Sequence, residues 1–291
     1  MKTLYRIPSA ILFAALALVS ASAQHTPKLG DNAALRYYAA FAQIQDAAIT
    51  DEQAKELNGI LDGPVPYIDS KYKDLVLKNR PALELMARGS ALPNCDWGLD
   101  YQLGENMPVD YARRALTLGR LNILYVFHLQ ITHDNDGAVR ALVAGLRFSH
   151  DVANGGSLFA TLVAKDLLTN HFRAIAFSMH VVGLSPAQRS LLQKAIAQLG
   201  PSGLDWQSAT RRDLELLRGH FAKDRQASAA LTKITAMYIG TLTDPGKLPA
   251  LEQELASAPK QLSEVIPSPK HVLEEKQDLD DKLGQARTLL K

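Results

Sequence analysis

The chain has 291 residues, 47% of them hydrophobic, 21% charged and 7% aromatic, with a formal net charge of +2. So much apolar material at so small a charge excludes a disordered chain, and the length suits one large domain or two modest ones. With 45 Leu and 40 Ala against 13 Val and 13 Ile, a β-sandwich and a nucleotide-binding parallel sheet are disfavoured, and the expected fold class is all-α.

Residues 1–23 read as an export signal. Lys2 and Arg6 precede an apolar run from Ala10 to Val19, and Ala21-Ser22-Ala23 offers small residues at both positions that a signal peptidase reads. As a helix that run reaches about 15 Å, half of a bilayer core, which argues against a permanent anchor. Cleavage before Gln24 removes Lys2 and Arg6 and leaves 30 basic and 30 acidic residues. A neutral chain has no global attraction for nucleic acid or anionic lipid. The expected location is therefore periplasmic or extracellular, and the expected partner a protein or a cell-envelope component.

The mature chain divides into a helical domain, 24–258, and a proline-punctuated arm, 259–291. Asp31 or Asn32 caps a first helix whose apolar stripe runs through Ala34, Leu35, Tyr38, Phe41, Ala42 and Ile44. Thr50-Asp51-Glu52-Gln53 is a capping box opening a short helix to about Asp62, and Gly63-Pro64-Val65-Pro66 breaks the chain. A helix from Tyr67 to about Lys78 is kinked or ended by Pro81. Periodicity then vanishes from Ser90 to Pro108, a long ordered loop.

Val109 to His133 has apolar residues nearly all round, which predicts a central, buried helix. Asp134-Asn135-Asp136-Gly137 reads as a tight turn leading to a partner helix from Ala138 to about Val152. Asn154-Gly155-Gly156 ends that helix, and a long one follows from Ser157 to about Val182. Ser185-Pro186-Ala187-Gln188 is a second capping box. Asp205 caps a helix carrying Leu214, Leu217 and Phe221, with Arg211 and Glu215 spaced to pair at i,i+4. Helices over Ala227–Ile239 and to about Ala256 come next. In the arm, Val272, Leu279, Leu283, Ala286 and Leu290 mark an amphipathic helix. About ten to twelve helices joined by short turns predict stacked antiparallel hairpins, either solenoid-like or as an irregular bundle.

Cys95 is the only cysteine, so no intramolecular disulfide exists, and with no base signature around it the expected state is buried and unreactive. Beside it, Asp96, Trp97, Asp100 and Tyr101 gather two carboxylates and two aromatics, with Arg113 and Arg114 on the next helix able to pair with the acids. These six are the candidate ligand-binding residues, since aromatic faces with acids beside them suit sugar rings and cationic groups. The competing reading makes Trp97 a pin for the loop and the acids turn caps.

Ala115-Leu116 and Ala141-Leu142 sit alike on successive helices and resemble tetratricopeptide hairpins in architecture only, because the period of about 34 residues is missing. Cys95-Asp96-Trp97-Gly98-Leu99-Asp100-Tyr101, with the hairpin after it, resembles a family of uncharacterised, signal-bearing, all-helical bacterial proteins associated with soil acidobacteria. The likeness covers roughly Asn32 to Val182 and implies no activity.

No metal or cofactor is expected. His150 and His171 stand about 15 Å apart along their helices, too far to share an ion. Asp134-Asn135-Asp136-Gly137 starts like a calcium loop, but Gly145 falls where a closing Glu is needed. Sequence alone thus favours an exported, non-enzymatic binding or scaffold protein. The alternative is a cell-envelope carbohydrate-active enzyme or glycan binder using the 90–108 loop.

Overall fold

In the computed structural model, residues 29–45, 49–63 and 65–291 are described. The export signal and its cleavage site lie outside them, as does Pro64 of the predicted break. All named elements are helices, and among the described residues the only β pairing is an isolated bridge between Asn32 and Asn94.

Side-chain caps set most helix starts. Asn32 opens α1 (Ala33–Gln43) by accepting from the Ala34 amide at 3.1 Å. Its buried face is Ala33, Ala34, Tyr37, Ala40 and Phe41, whereas Leu35 and Tyr38 of the predicted stripe are exposed. Tyr37 turns inward because its hydroxyl meets a buried acceptor, Asp151 Oδ2, at 2.7 Å, so burying the ring strands no polar atom. The Thr50–Gln53 capping box opens α2 (Asp51–Leu61) as predicted.

Ahead of Pro81, α3 (Asp69–Lys78) ends at Lys78 as predicted, and Pro81 itself interrupts no helix. It sits in the first turn of α4 (Arg80–Ser90), where no amide hydrogen is needed. The break from α3 falls on buried Asn79, whose side chain bonds the backbone of Leu75 and Gln45.

The centre is α5 (Asp110–Ile131), α6 (Asn135–Ala153) and α7 (Leu158–Val181), which pack on one another. Asp134 is not part of a turn between them but the N-cap of α6, accepting from the Gly137 amide at 2.8 Å. The chain reverses one residue earlier, at His133, whose φ of 62° is the left-handed conformation. Consecutive helices that pack together across so short a connection must run antiparallel.

Inside this trio lies a polar knot. His171 Nε2 accepts from Asn122 Nδ2 at 3.1 Å, and its Nδ1 donates to the Leu167 carbonyl at 2.7 Å. Gly145 makes room for both, since a Cβ there would stand 2.1 Å from His171 Nε2.

The second capping box opens α8 (Pro186–Gln198), Asp205 caps α9 (Trp206–Leu216) and Asp224 caps α10 (Arg225–Thr243). Arg211 and Glu215 form no ion pair among the described residues, and Leu217 is only half-buried. The arm forms α12 (Lys260–Val265) and α13 (Pro269–Leu289) after α11 (Leu248–Ser257). Its stripe of Val272, Leu279, Leu283, Ala286 and Leu290 is buried, and α13 packs on α7. There Lys165 pairs with Glu275 and Asp278, each at 2.6 Å. A last helix that returns to the middle of the chain makes the architecture an irregular bundle rather than a linear solenoid.

Candidate functional site

The six residues singled out in sequence do not form one site. Trp97 is 3% exposed, stacked on Tyr111 with ring centroids 4.2 Å apart and met edge-on by Tyr38 at 5.4 Å. Its Nε1 donates to the Asp151 carbonyl at 2.8 Å. The ring therefore fastens the loop to the core and has no face to offer a sugar. Asp96 accepts from the Gly98 amide and Asp100 from the Gln102 amide, both as local turn caps. The Tyr101 hydroxyl donates to the Gly155 carbonyl at 2.6 Å, while Arg212 lies over its ring at 4.8 Å. Arg113 and Arg114 are exposed and pair with neither acid among the described residues. Cys95 is half-buried rather than enclosed. Burial, and then the Asp151 carboxylate, push its thiol above the ordinary range, which disfavours the reactive thiolate.

The geometry points elsewhere. Where α5 and α7 end and α6 begins, a cavity of about 570 Å³ opens. Gly63, Val65, Pro66 and Tyr67 line one side, Phe127, Gln130, Ile131, His133 and Asn135 another, and Phe177, Val181 and Val182 the third. Three rings form its apolar wall, with Phe127 centred 5.2 Å from Tyr67 and 4.9 Å from Phe177. Ile131 and Val181, 55% and 65% exposed, leave large aliphatic side chains open to solvent beside it.

Two polar groups of this wall, Tyr67 and Gln130, have a defined hydrogen-bond sense. The Tyr67 hydroxyl donates to Asp69 Oδ1 at 3.1 Å, and His128 Nδ1 lies 2.8 Å from the same oxygen. Burial and the neighbouring Asp69 carboxylate raise the Tyr67 hydroxyl well above its usual range, so it keeps its proton. Gln130, 8% exposed, donates from Nε2 to Ser178 Oγ, whose own hydroxyl hydrogen bonds to the Ala174 carbonyl at 2.7 Å. That chain fixes the orientation of the amide. Gln130 Oε1 and Asn135 Oδ1 are then both buried and without a hydrogen-bond partner. Seven other side-chain polar atoms among the described residues are buried in the same state, each at a cost of about 1–3 kcal/mol.

Two other cavities are more polar. One of about 640 Å³ is lined by Arg120, Lys165, Arg173 and Lys282 against Asp62 and Asp166. Most of these charges are already matched, Arg173 with Asp62 and Lys165 and Lys282 with Asp278. One of about 470 Å³ has Arg147 and His150 among its lining residues. Among the described residues no three His, Cys, Asp or Glu side chains gather to hold a metal ion, and no helix is long and apolar enough to cross a membrane.

No protein-family model, curated protein or solved structure matches this chain. The aromatic cavity is also not foreshadowed by any motif. Its walls come from three segments remote in sequence, and within each the apolar residues read as ordinary core. One signal was present: Gln130 stands between Leu129 and Ile131 near the end of a largely buried helix, where a polar side chain needs a reason.

Proposed function

We propose that this protein is an exported, non-enzymatic binding protein whose ligand seats an apolar group in the cavity at the ends of α5 and α7. The observation that carries the reading is the joint presence, around one cavity, of an aromatic wall and exposed aliphatic residues, with the polar residues Gln130, His133 and Asn135 among its lining. An apolar concavity with a few orienting polar groups is the usual form of a small-molecule site. The export half of the reading rests on the leader residues Lys2, Arg6 and Ala10–Val19 and on the small residues before Gln24.

The test is titration with the neutral fluorescent probe N-phenyl-1-naphthylamine. Saturable, one-to-one binding is expected, and Val181→Trp, placed at an exposed lining position, should abolish it while leaving the circular dichroism spectrum intact. Binding that survives in folded Val181→Trp would move the ligand site away from this cavity.

A further inference from the structure

We infer that the ligand of this cavity is uncharged, an apolar body whose polar end is a neutral group such as a hydroxyl or a carbonyl. This rests on the binding reading above and adds the charge class that the site accepts. Three features of the lining carry it.

The first is how polar and apolar groups are placed. The described lining residues between Gly63 and Tyr67, and those between Phe177 and Val182, are glycine, aliphatic or aromatic. The polar ones, Gln130, His133 and Asn135, all come from the short stretch where α5 passes into α6. A ligand seated here lays its body against two apolar sides and turns its polar end toward that stretch.

The second is charge. Among the described residues lining the cavity there is no Lys, Arg, Asp or Glu. The acids beside it do not line it and are engaged elsewhere. Asp69 Oδ1 accepts from the Tyr67 hydroxyl and lies 2.8 Å from His128 Nδ1, while Asp134 accepts from the Gly137 amide and Asp136 from Gln188 Nε2. An ammonium group and a carboxylate would both leave water without a partner of opposite sign. The ends of α5 and α7 and the start of α6 also meet here, but an ion gives up far more hydration than the field of a helix end returns. His133 is exposed, where water and salt screen any charge it carries.

The third is the hydrogen-bonding capacity of the polar edge. Asn135 Oδ1 is enclosed, which leaves its Nδ2 to donate, and a neutral imidazole such as His133 both donates and accepts. A hydroxyl or a carbonyl uses such groups without bringing charge into the cavity.

Calorimetric titration with octan-1-ol, octylamine and octanoate at about pH 8, where both ionisable chains are charged and an imidazole is ordinarily neutral, tests this. Octan-1-ol should bind at least about tenfold more tightly than either ion. Val181 is 65% exposed, so a charge placed there supplies the missing partner without disturbing the core. Val181→Lys should narrow the gap for octanoate and Val181→Glu the gap for octylamine, each in a variant with a native melting curve. The same changes at Ile131, 55% exposed, replace any variant that does not fold. An ion that binds the native chain as tightly as the alcohol, or gaps untouched in the folded variants, would overturn the charge assignment and leave the cavity reading standing. Failure of all three compounds to bind would overturn both.

Discussion

Trp97 carries more of the structure than its place in an aperiodic loop suggests. It is enclosed by Tyr37, Phe41, Tyr38 and Tyr111 and bonded through Nε1 to Asp151. Trp97→Ala should lower stability by about 3–5 kcal/mol in a urea melt, the range for truncating a buried Trp. A surface aromatic would give almost no shift, so the melt separates a pin from an exposed stacking platform. His171 makes a different kind of residue-scale statement. Complete burial lowers its pKa from 6.5 to about 4, so between those values the unfolded chain binds a proton that the folded chain refuses. The stabilising effect is therefore fully present above pH 6.5 and is lost as pH falls toward 4. The whole swing is about 3 kcal/mol. Half-buried Asp213, whose carboxyl is held above its usual range by desolvation, acts with the opposite sign over the carboxylate range. Comparing stability at several pH values between the native chain and His171→Gln isolates the histidine part, and an unchanged slope would refute it.

At the scale of elements, the amphipathic arm is the piece whose destination was undecided in sequence. Its three-four rhythm identified the buried stripe of α13 but not what would cover it, because a face says only that it needs a partner. The structure supplies α7, with Leu279 and Leu283 fully enclosed and Lys165 reaching across to Glu275 and Asp278. Leu279→Ala should cost about 2–5 kcal/mol in a single cooperative transition, as for other buried leucines. A separate early transition confined to the arm, seen by calorimetry, would show instead that α13 is held independently of the bundle. Local chemistry was the most legible element-scale information. Thr50 with Gln53, Ser185 with Gln188 and Asp205 cap helices where their spacing predicted. Helix α3 closes at Lys78 as predicted while Pro81 suits the first turn of the helix that follows, and the stripe of α1 is displaced because Tyr37 has a buried acceptor that no local pattern reveals.

For the whole molecule, helix content was legible because Leu and Ala dominate and turn residues punctuate the chain. The long-range pairings were not. The seat of α13 on α7, and the meeting of Tyr67, Phe127 and Phe177 around one cavity, depend on which faces find one another after the helices exist. The 90–108 loop drew attention because its aromatics and acids are adjacent in sequence, yet adjacency is what a self-capped, pinned loop also produces. The position of α13 has a further bearing, on the order of events in folding. The strip of α7 around Lys165 is finished only by residues 275 and 278, more than a hundred positions later. Loop closure over such a separation is slow compared with forming the hairpins of α5, α6 and α7. A nascent chain can thus assemble its middle early but must keep an apolar seat vacant until α13, more than a hundred residues further on, has been made.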